Sequence, residues 1–272
     1  MGRDFKIHSI CVVKNEGDVI GYSLKEALKW SDRIIVYDGA SEDNTWDVVC
    51  SMASDRIIPW KQDGKVFQES LRAEVFNAFR AESRPGDWWC HLDADEFYTG
   101  NPREFLRSVP WPYHVVWGIA VEFYLTKQDV EQSQMTGDIE QQIDRLRYYS
   151  INHSEPRFFR DRQRLVWPED VGWPIHMGPV YPKRLLYKHY KYRSPEQIQS
   201  RLDTRRASVE RGFTGWGHAR ESDWQKKLGD SRLLKEVNGD QYEYREEDLP
   251  KHLEAPAKRY LKLALHQLRI FP

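Results

Sequence analysis

The 272-residue chain contains no stretch approaching the roughly 18 consecutive apolar residues that a membrane-spanning helix requires. It also lacks an excess charge of either sign. Lys and Arg number 41 against 42 Asp and Glu, so no overall field concentrates nucleic acid around it, and any bound anion must be held by local geometry. Cysteine is scarce: Cys11, Cys50 and Cys90 sit singly in apolar or aromatic runs. They lack the paired spacing of a zinc site or a secreted disulfide framework and read as reduced core residues. The start, "MGRDFKIHSICVVKNEG", has no small-residue cleavage site, and Lys6 stands where a myristoylation pattern has Ser or Thr. A cytoplasmic location is the resulting expectation. No internal repeat or low-complexity segment is present, and "VVKNEG" offers one Gly where a nucleotidyltransferase has a Gly-rich phosphate loop.

What is abundant is apolar and aromatic: 40% and 13% of residues, far above the composition of a disordered chain. The charged 31% and a mean hydropathy of -0.76 imply a strongly polar surface around that core. Over the first hundred residues two periodicities alternate. "KIHSICVVK", "DRIIVYD", "DRIIPW" and "DWWCHLD" are short β-branched or aromatic runs. Between them, "GDVIGYSLKEALKW", "SEDNTWDVVCSM" (with Ser41 or Asp43 as N-cap) and "FQESLRAEVFNAFRAE" carry helical spacing. Strands joined by such crossovers predict a mostly parallel sheet with helices on both faces.

The regularity then fades. "PREFLRSV" reads as a short helix, "YHVVWGIAVEFYL" as a strand pair or one long strand, and "SPEQIQSRLDTRRASVERG" as a helix capped by Ser194 and stopped at Gly212. Helical sections are predicted over "SDWQKKLGDSRLLKEV" and "APAKRYLKLALHQLRI". The last has a Leu and Tyr stripe with a basic flank, which suits core packing, the commoner use, or contact with a membrane or partner protein. The Gly-rich "ERGFTGWGHARESD" is expected to be a mobile segment that orders over substrate. Trp167, Trp173 and Trp216 suit core or hinge roles, or stacking on sugar faces.

Ligands of open parallel sheets bind beyond the carboxyl ends of the strands. Those ends carry Lys14, Asn15 and Glu16; Asp38, Gly39 and Ser41; and Asp93, Asp95 and Glu96. Carboxylates crowded at one rim repel each other unless cations intervene, and a hard divalent ion is the usual answer. In an extended segment Asp93 and Asp95 project to one side, with Glu96 opposite as a supporting or helix-capping carboxylate.

Three blocks, "KNE", "YDGASEDNT" and "LDADEF", in this order and spacing, resemble the GT-A fold glycosyltransferases of the broad family-2 type. "KHYKYRSPEQIQSRL" is similar to an "HY...S.EQ" segment of some bacterial members, which extends the resemblance over residues 7 to 212. It implies a GT-A (Rossmann-like) domain over 1–212, with its nucleotide-sugar part at about 1–100 and its acceptor part at about 101–212, followed by a helical extension over 213–272. It further implies that Asn15, Glu16, Asp38, Arg72 and Asp93 bind the nucleotide, and that Asp93, Asp95 and His189 hold Mn2+ or Mg2+. On the residues alone, a single His among tyrosines is more often structural. Asp170, with Glu169 second, stands where such enzymes often place a general base; a turn role suits Asp170 equally, and His176 and Glu122 stay open as alternatives.

The implied reaction is transfer of a sugar, with inversion, from a UDP, GDP or dTDP donor to a hydroxyl of a saccharide or glycoconjugate, as in polysaccharide biosynthesis. The alternatives are an inactive sugar- or nucleotide-binding domain of the same fold and a phosphoryl- or nucleotidyltransferase. Aspartyl phosphoryl transfer also uses DxD after a strand, but there the motif ends the first strand and runs toward Thr. Here it ends the fourth and continues "EFY".

Overall fold

The computed structural model describes residues 4–66, 68–132, 138–213, 221–239, 241–268 and 270. Trp216 and half of the Gly-rich segment around it lie outside the described residues. The elements run β1 (Ile7–Val13), α1 (Ile20–Ala27), β2 (Arg33–Asp38), α2 (Thr45–Ser51), β3 (Ile57–Gln62), α3 (Leu71–Phe79) and β4 (Trp88–Leu92). Next come β5 (Glu96–Tyr98), α4 (Pro102–Ser108), β6 (Val115–Tyr124), α5 (Lys127–Gln132), α6 (Ile139–Arg145) and β7 (Tyr148–Arg160). The chain continues through β8 (Leu185–His189), α7 (Pro195–Glu210), β9 (Lys235–Glu236) and α8 (Pro256–Gln267).

The expected α/β architecture is present: one sheet flanked by helices. One sheet runs β3-β2-β1-β4-β7-β6-β8-β5, with β9 added to β7. Its first four strands are parallel, as the helix-length crossovers between them require. Every residue of β1 is buried. Alternation sends Ile7, Cys11 and Val13 to a core shared with Ile20 and Leu24 of α1. Ile10 and Val12 face the other core, with Val75 and Phe76 of α3.

The second half is built differently, because β7 enters antiparallel to β4 and pairs along most of β6. β8 lies parallel to β6, and β5 returns antiparallel to β8. These pairings fold the segment after the acidic turn back beside the end of β6. "YHVVWGIAVEFYL" is thus one long strand.

Several local expectations are corrected. The N-cap of α2 is Asn44; Ser41 bonds to Asp38, and Asp43 accepts from the Thr45 amide. Cys50 is exposed, since Val49 takes the buried position of α2 and its neighbour is rotated about 100° away. "SDWQKKLGDSRLLKEV" is helical only in a short 3-10 turn over Trp224–Lys227 and ends in β9. Gly229 donates to the Leu125 carbonyl at 2.8 Å and packs on Tyr124, so the segment is drawn onto the end of β6 and cannot coil. α8 is helical but buries no residue.

Ser194 caps α7 by accepting from the Gln197 amide, with Pro195 in the first turn and Gly212 at φ +101° beyond the end. Gly118, within β6, is approached closely by side chains of both neighbouring strands, β7 and β8. A Cβ there would lie 2.7 Å from Tyr187 and 2.8 Å from the Arg157 side chain. Gly118→Ala is expected to lower the unfolding free energy by about 1–3 kcal/mol through overpacking. An unchanged urea midpoint would show that this contact is looser than drawn.

Candidate active site

The carboxyl end of β1 turns sharply at Asn15, whose φ is +53°. Short hydrogen bonds hold that conformation: the Asn15 amide donates to Ser41 Oγ at 2.8 Å, and its Oδ1 accepts from the Glu42 amide at 2.8 Å. Asn15 Nδ2 donates to Thr204 Oγ1 on α7 at 2.8 Å. Lys14 Nζ donates to the carbonyls of Gly39 and Ala40, tying the end of β1 to the end of β2. Asp38 is fully buried. Its carboxylate accepts from the Ser41 amide at 2.7 Å, from Ser41 Oγ at 2.5 Å and from Gln62 Nε2 at 3.2 Å. The structure therefore gives Asp38 the work of shaping the turn after β2.

The acidic segment after β4 is bent, not extended. β4 stops at Leu92, and the Glu96 amide donates back to the Asp93 carbonyl at 3.3 Å. The three carboxylates consequently meet three sets of cations. Asp93 accepts from Arg72 Nη2 at 2.5 Å and Arg157 Nη1 at 3.2 Å, with His91 Nε2 at 3.6 Å. Asp95 accepts from Arg201 Nη1 at 2.8 Å and lies 3.5 Å from His189 Nε2. Glu96 is bonded to Arg157, which also reaches Tyr187 Oη at 2.7 Å and Glu155 at 2.8 Å.

These partners divide the titration behaviour. Burial alone would raise all three carboxyls. For Asp93, Arg72 and His91 outweigh burial and hold the group well below the usual carboxylate range. For Asp95, Arg201 and His189 do the same. Burial wins at Glu96, and its carboxyl is pushed well above the usual range, with Arg157 offsetting only part. Burial also raises Glu16 against the pull of Arg193 and Arg201.

α7 forms the roof. Arg201 Nη1 bridges Glu16 at 2.7 Å and Asp95 at 2.8 Å. Arg193, just before α7, is fully buried between Glu16 at 2.5 Å and Asp18 at 2.8 Å. Under this roof lies a pocket of about 260 Å³, whose walls include Glu16, Arg72, Asp93, Asp95, His189 and Arg201. A wider groove of about 960 Å³, also lined by Lys14, Asn15 and Thr204, runs along the outer side of α7.

Of the residues predicted from the sequence, Asn15, Glu16, Arg72, Asp93, Asp95 and His189 line one pocket, and Asp38 lies behind it. Asp170 and Glu169 do not join them: both are exposed in a turn. Their loop reaches the site through Gly172, which packs on Glu69, and Trp173, whose ring is 5.0 Å from that of His91. Trp167 is buried core. Glu122 accepts from Lys191 at 2.9 Å beside His189, and His176 stands with φ +54° away from the pocket wall.

Sequence reasoning missed Arg157, Arg193 and Arg201. The only available signal was the buried-charge requirement itself: carboxylates ending buried strands demand cations, but nothing local says which Arg of a charged chain supplies them.

No family model matches the chain, and no curated protein matches its sequence. Among solved structures it is similar to mannosyl-3-phosphoglycerate synthase from Rubrobacter xylanophilus, at 15% identity and a TM-score of 0.38, over 76% of this chain and 74% of that one.

Arg201→Met leaves Glu16 and Asp95 facing each other without their shared cation. The expected cost at pH 7 is about 2 kcal/mol, below the figure for a fully buried pair because part of the Arg201 side chain is wet. Asp95 has a depressed folded pKa, so its stabilising contribution is complete above its unfolded pKa of about 3.9 and is lost as pH falls toward the folded value. The difference between wild type and variant should therefore shrink as pH falls below about 4, which urea unfolding at pH 7 and at about pH 2.5 would measure.

Proposed function

We propose that this protein is a glycosyltransferase that moves a sugar from a nucleoside-diphosphate donor to a hydroxyl of a saccharide or glycoconjugate, with inversion. One observation carries the reading: an acidic turn at the carboxyl end of a parallel strand, facing a pocket whose walls also present Arg72, Arg201 and Arg205. A diphosphate needs positive charge on several sides, and the junction beyond the strand ends is where an α/β sheet offers such a place.

The side chains fit a divalent ion in part. The Asp95 carboxylate and the His189 imidazole, 3.5 Å apart, are oxygen and nitrogen donors suited to Mn2+, with Mg2+ the alternative. Asp93 fits less well, because Arg72 and Arg157 engage both of its oxygens; its work is to orient those guanidinium groups. A bound ion would supply charge neutralisation for the departing diphosphate.

The chain's own residues do the rest. Arg72 and Arg201 present N–H donors toward the place where negative charge develops as the sugar-phosphate bond breaks. Glu16 and Asp95 hold Arg201 in position, and the Asn15–Thr204 hydrogen bond fixes α7 over the donor. A base must take the acceptor proton. Glu69 lies on the pocket wall with more than half of its side chain exposed, while Asp170 and Glu169 stand outside. We assign the base to Glu69.

A second reading, nucleotide binding without turnover, is favoured by Arg201, whose guanidinium already bridges Glu16 and Asp95 where an ion would sit. The two are separated by incubating the protein with UDP, GDP and dTDP sugars, with and without Mn2+, and measuring both nucleotide binding and release of the nucleoside diphosphate. Turnover that is lost by about 100-fold or more in Asp95→Asn and His189→Ala supports transfer; binding without release supports the second reading.

Two further outcomes are expected. Arg201→Gln should tighten Mn2+ affinity by about ten-fold in titration calorimetry, because a competing internal cation is removed; ten-fold corresponds to about 1.4 kcal/mol. Glu69→Gln should lower kcat by about 10² or more with little change in donor KM, whereas Asp170→Asn should stay within about three-fold of wild type.

A further inference from the structure

α8 carries an apolar face that the rest of the described chain leaves uncovered. Tyr260, Leu261 and Leu268 are 64%, 60% and 69% exposed. With Ala257 and Ala264, also exposed, they fall within an arc of roughly 100° on the helix. The opposite side holds the body of the protein: the His266 ring is 5.2 Å from that of His114, and its Nδ1 is 3.1 Å from Arg162 Nη1. The stripe thus points away from the fold. Burying three such side chains would contribute several kcal/mol, so their exposure calls for an explanation beyond scattered surface leucines.

The same corner gathers most of the other exposed large apolar residues. Ile175 and Val166, paired in a β-bridge, are 43% and 48% exposed. They adjoin His176, whose carbonyl accepts from the Arg162 guanidinium that meets His266. Trp111, three residues before His114, is 51% exposed. Of the large apolar side chains more than 40% exposed among the described residues, only Leu233 lies elsewhere, in the segment that packs at the end of β6.

The charge around this apolar corner is mostly positive. From Leu249 to Pro272 the sequence contains five Lys or Arg and one acidic residue, Glu254. Lys258 and Lys262 share that one carboxylate, at 3.2 and 3.6 Å. Beside Trp111, a cavity of about 580 Å³ is lined by Lys6, Arg84, Arg107 and Arg160, with Asp4 and Asp87. Asp87 is already engaged by the amides of Lys6 and Arg84. The chain as a whole is nearly neutral, so this excess is local.

We propose that α8 and the corner around it form a docking surface for an anionic lipid bilayer. The twelve-residue helix, about 18 Å long, is too short to cross the roughly 30 Å hydrocarbon layer. It lies flat, with Tyr260, Leu261 and Leu268 at the level of the acyl chains and the exposed Lys258, on the flank of the stripe, reaching the headgroup phosphates. The cations select anionic lipid, each adding about 1 kcal/mol near such a surface. The orientation leaves the candidate active site free. His114 precedes β6 and Arg162 follows β7, at the end of the sheet where β4 begins, whereas the acidic turn lies where β4 ends, about 17 Å away along the strand.

The test is sedimentation of the full chain with vesicles of phosphatidylcholine alone, or mixed with phosphatidylglycerol at about 7:3, at low and at about 0.5 M salt. Binding is expected to the mixed vesicles only, to weaken at high salt, and to fall by about ten-fold or more in Leu261→Asp/Leu268→Asp and in Lys258→Glu. Because these side chains are exposed, the variants should melt at the wild-type temperature, which circular dichroism would check. Equal binding to both vesicle types, or no binding by folded wild type, overturns the proposal. So does a concentration-dependent dimer that the Leu261→Asp/Leu268→Asp variant loses, since a second copy would then cover the stripe.

Discussion

Carboxylates at the ends of buried strands repel each other and cannot be hydrated, so they must be met by cations that the rest of the chain delivers. Here Glu16, Asp93, Asp95 and Glu96 stand at one rim, and each is matched by guanidinium groups from a different part of the structure: Arg72 from α3, Arg157 from β7, Arg193 and Arg201 from the region of α7. The antiparallel half of the sheet and the roof helix are thereby fastened to the parallel half through charge. Replacing one partner alone would leave a buried charge unpaired, which is costlier than never having had the pair.

That arrangement also explains the contrast among the three carboxyls of the acidic turn. Asp93 and Asp95 face several cations each and stay charged, while Glu96, as buried as Asp95, has Arg157 alone and shares it with Asp93, Tyr187 and Glu155. The bend that separates them comes from the turn between β4 and β5. Two ionised groups and one that resists ionisation sit within four residues, a distinction that the spacing of acidic letters does not contain.

The parallel half was legible because its signals are local, β-branched runs alternating with helical spacing; so was α7, with its Ser cap, Pro at its start and Gly past its end. Asp93, Asp95 and His189 were reachable through the resemblance of their motifs. The arginines were not. Arg157 lies 61 positions from Glu96, and Arg201 lies 106 from Asp95, so their partnership depends on how β7 and α7 return over the sheet. The segment after Asp223 misled for a related reason: its helical spacing lost to the Gly229 contact with the end of β6. α8 fits its pattern as a helix, but a pattern of apolar positions cannot say whether the fold or something outside it covers them.

β7 is thirteen residues long and pairs with β9 near its start, with β6 along its length and with β4 at its end. Because side chains alternate across a strand, inserting or deleting one residue between Tyr149 and Arg157 would turn the guanidinium to the opposite face while both ends stayed anchored. The strand is therefore a ruler as well as a wall. Changes in length should be better tolerated at the exposed turn around Glu169 and Asp170, between the paired Val166 and Ile175, than within the strand, and variation in this protein's size is expected to accumulate there.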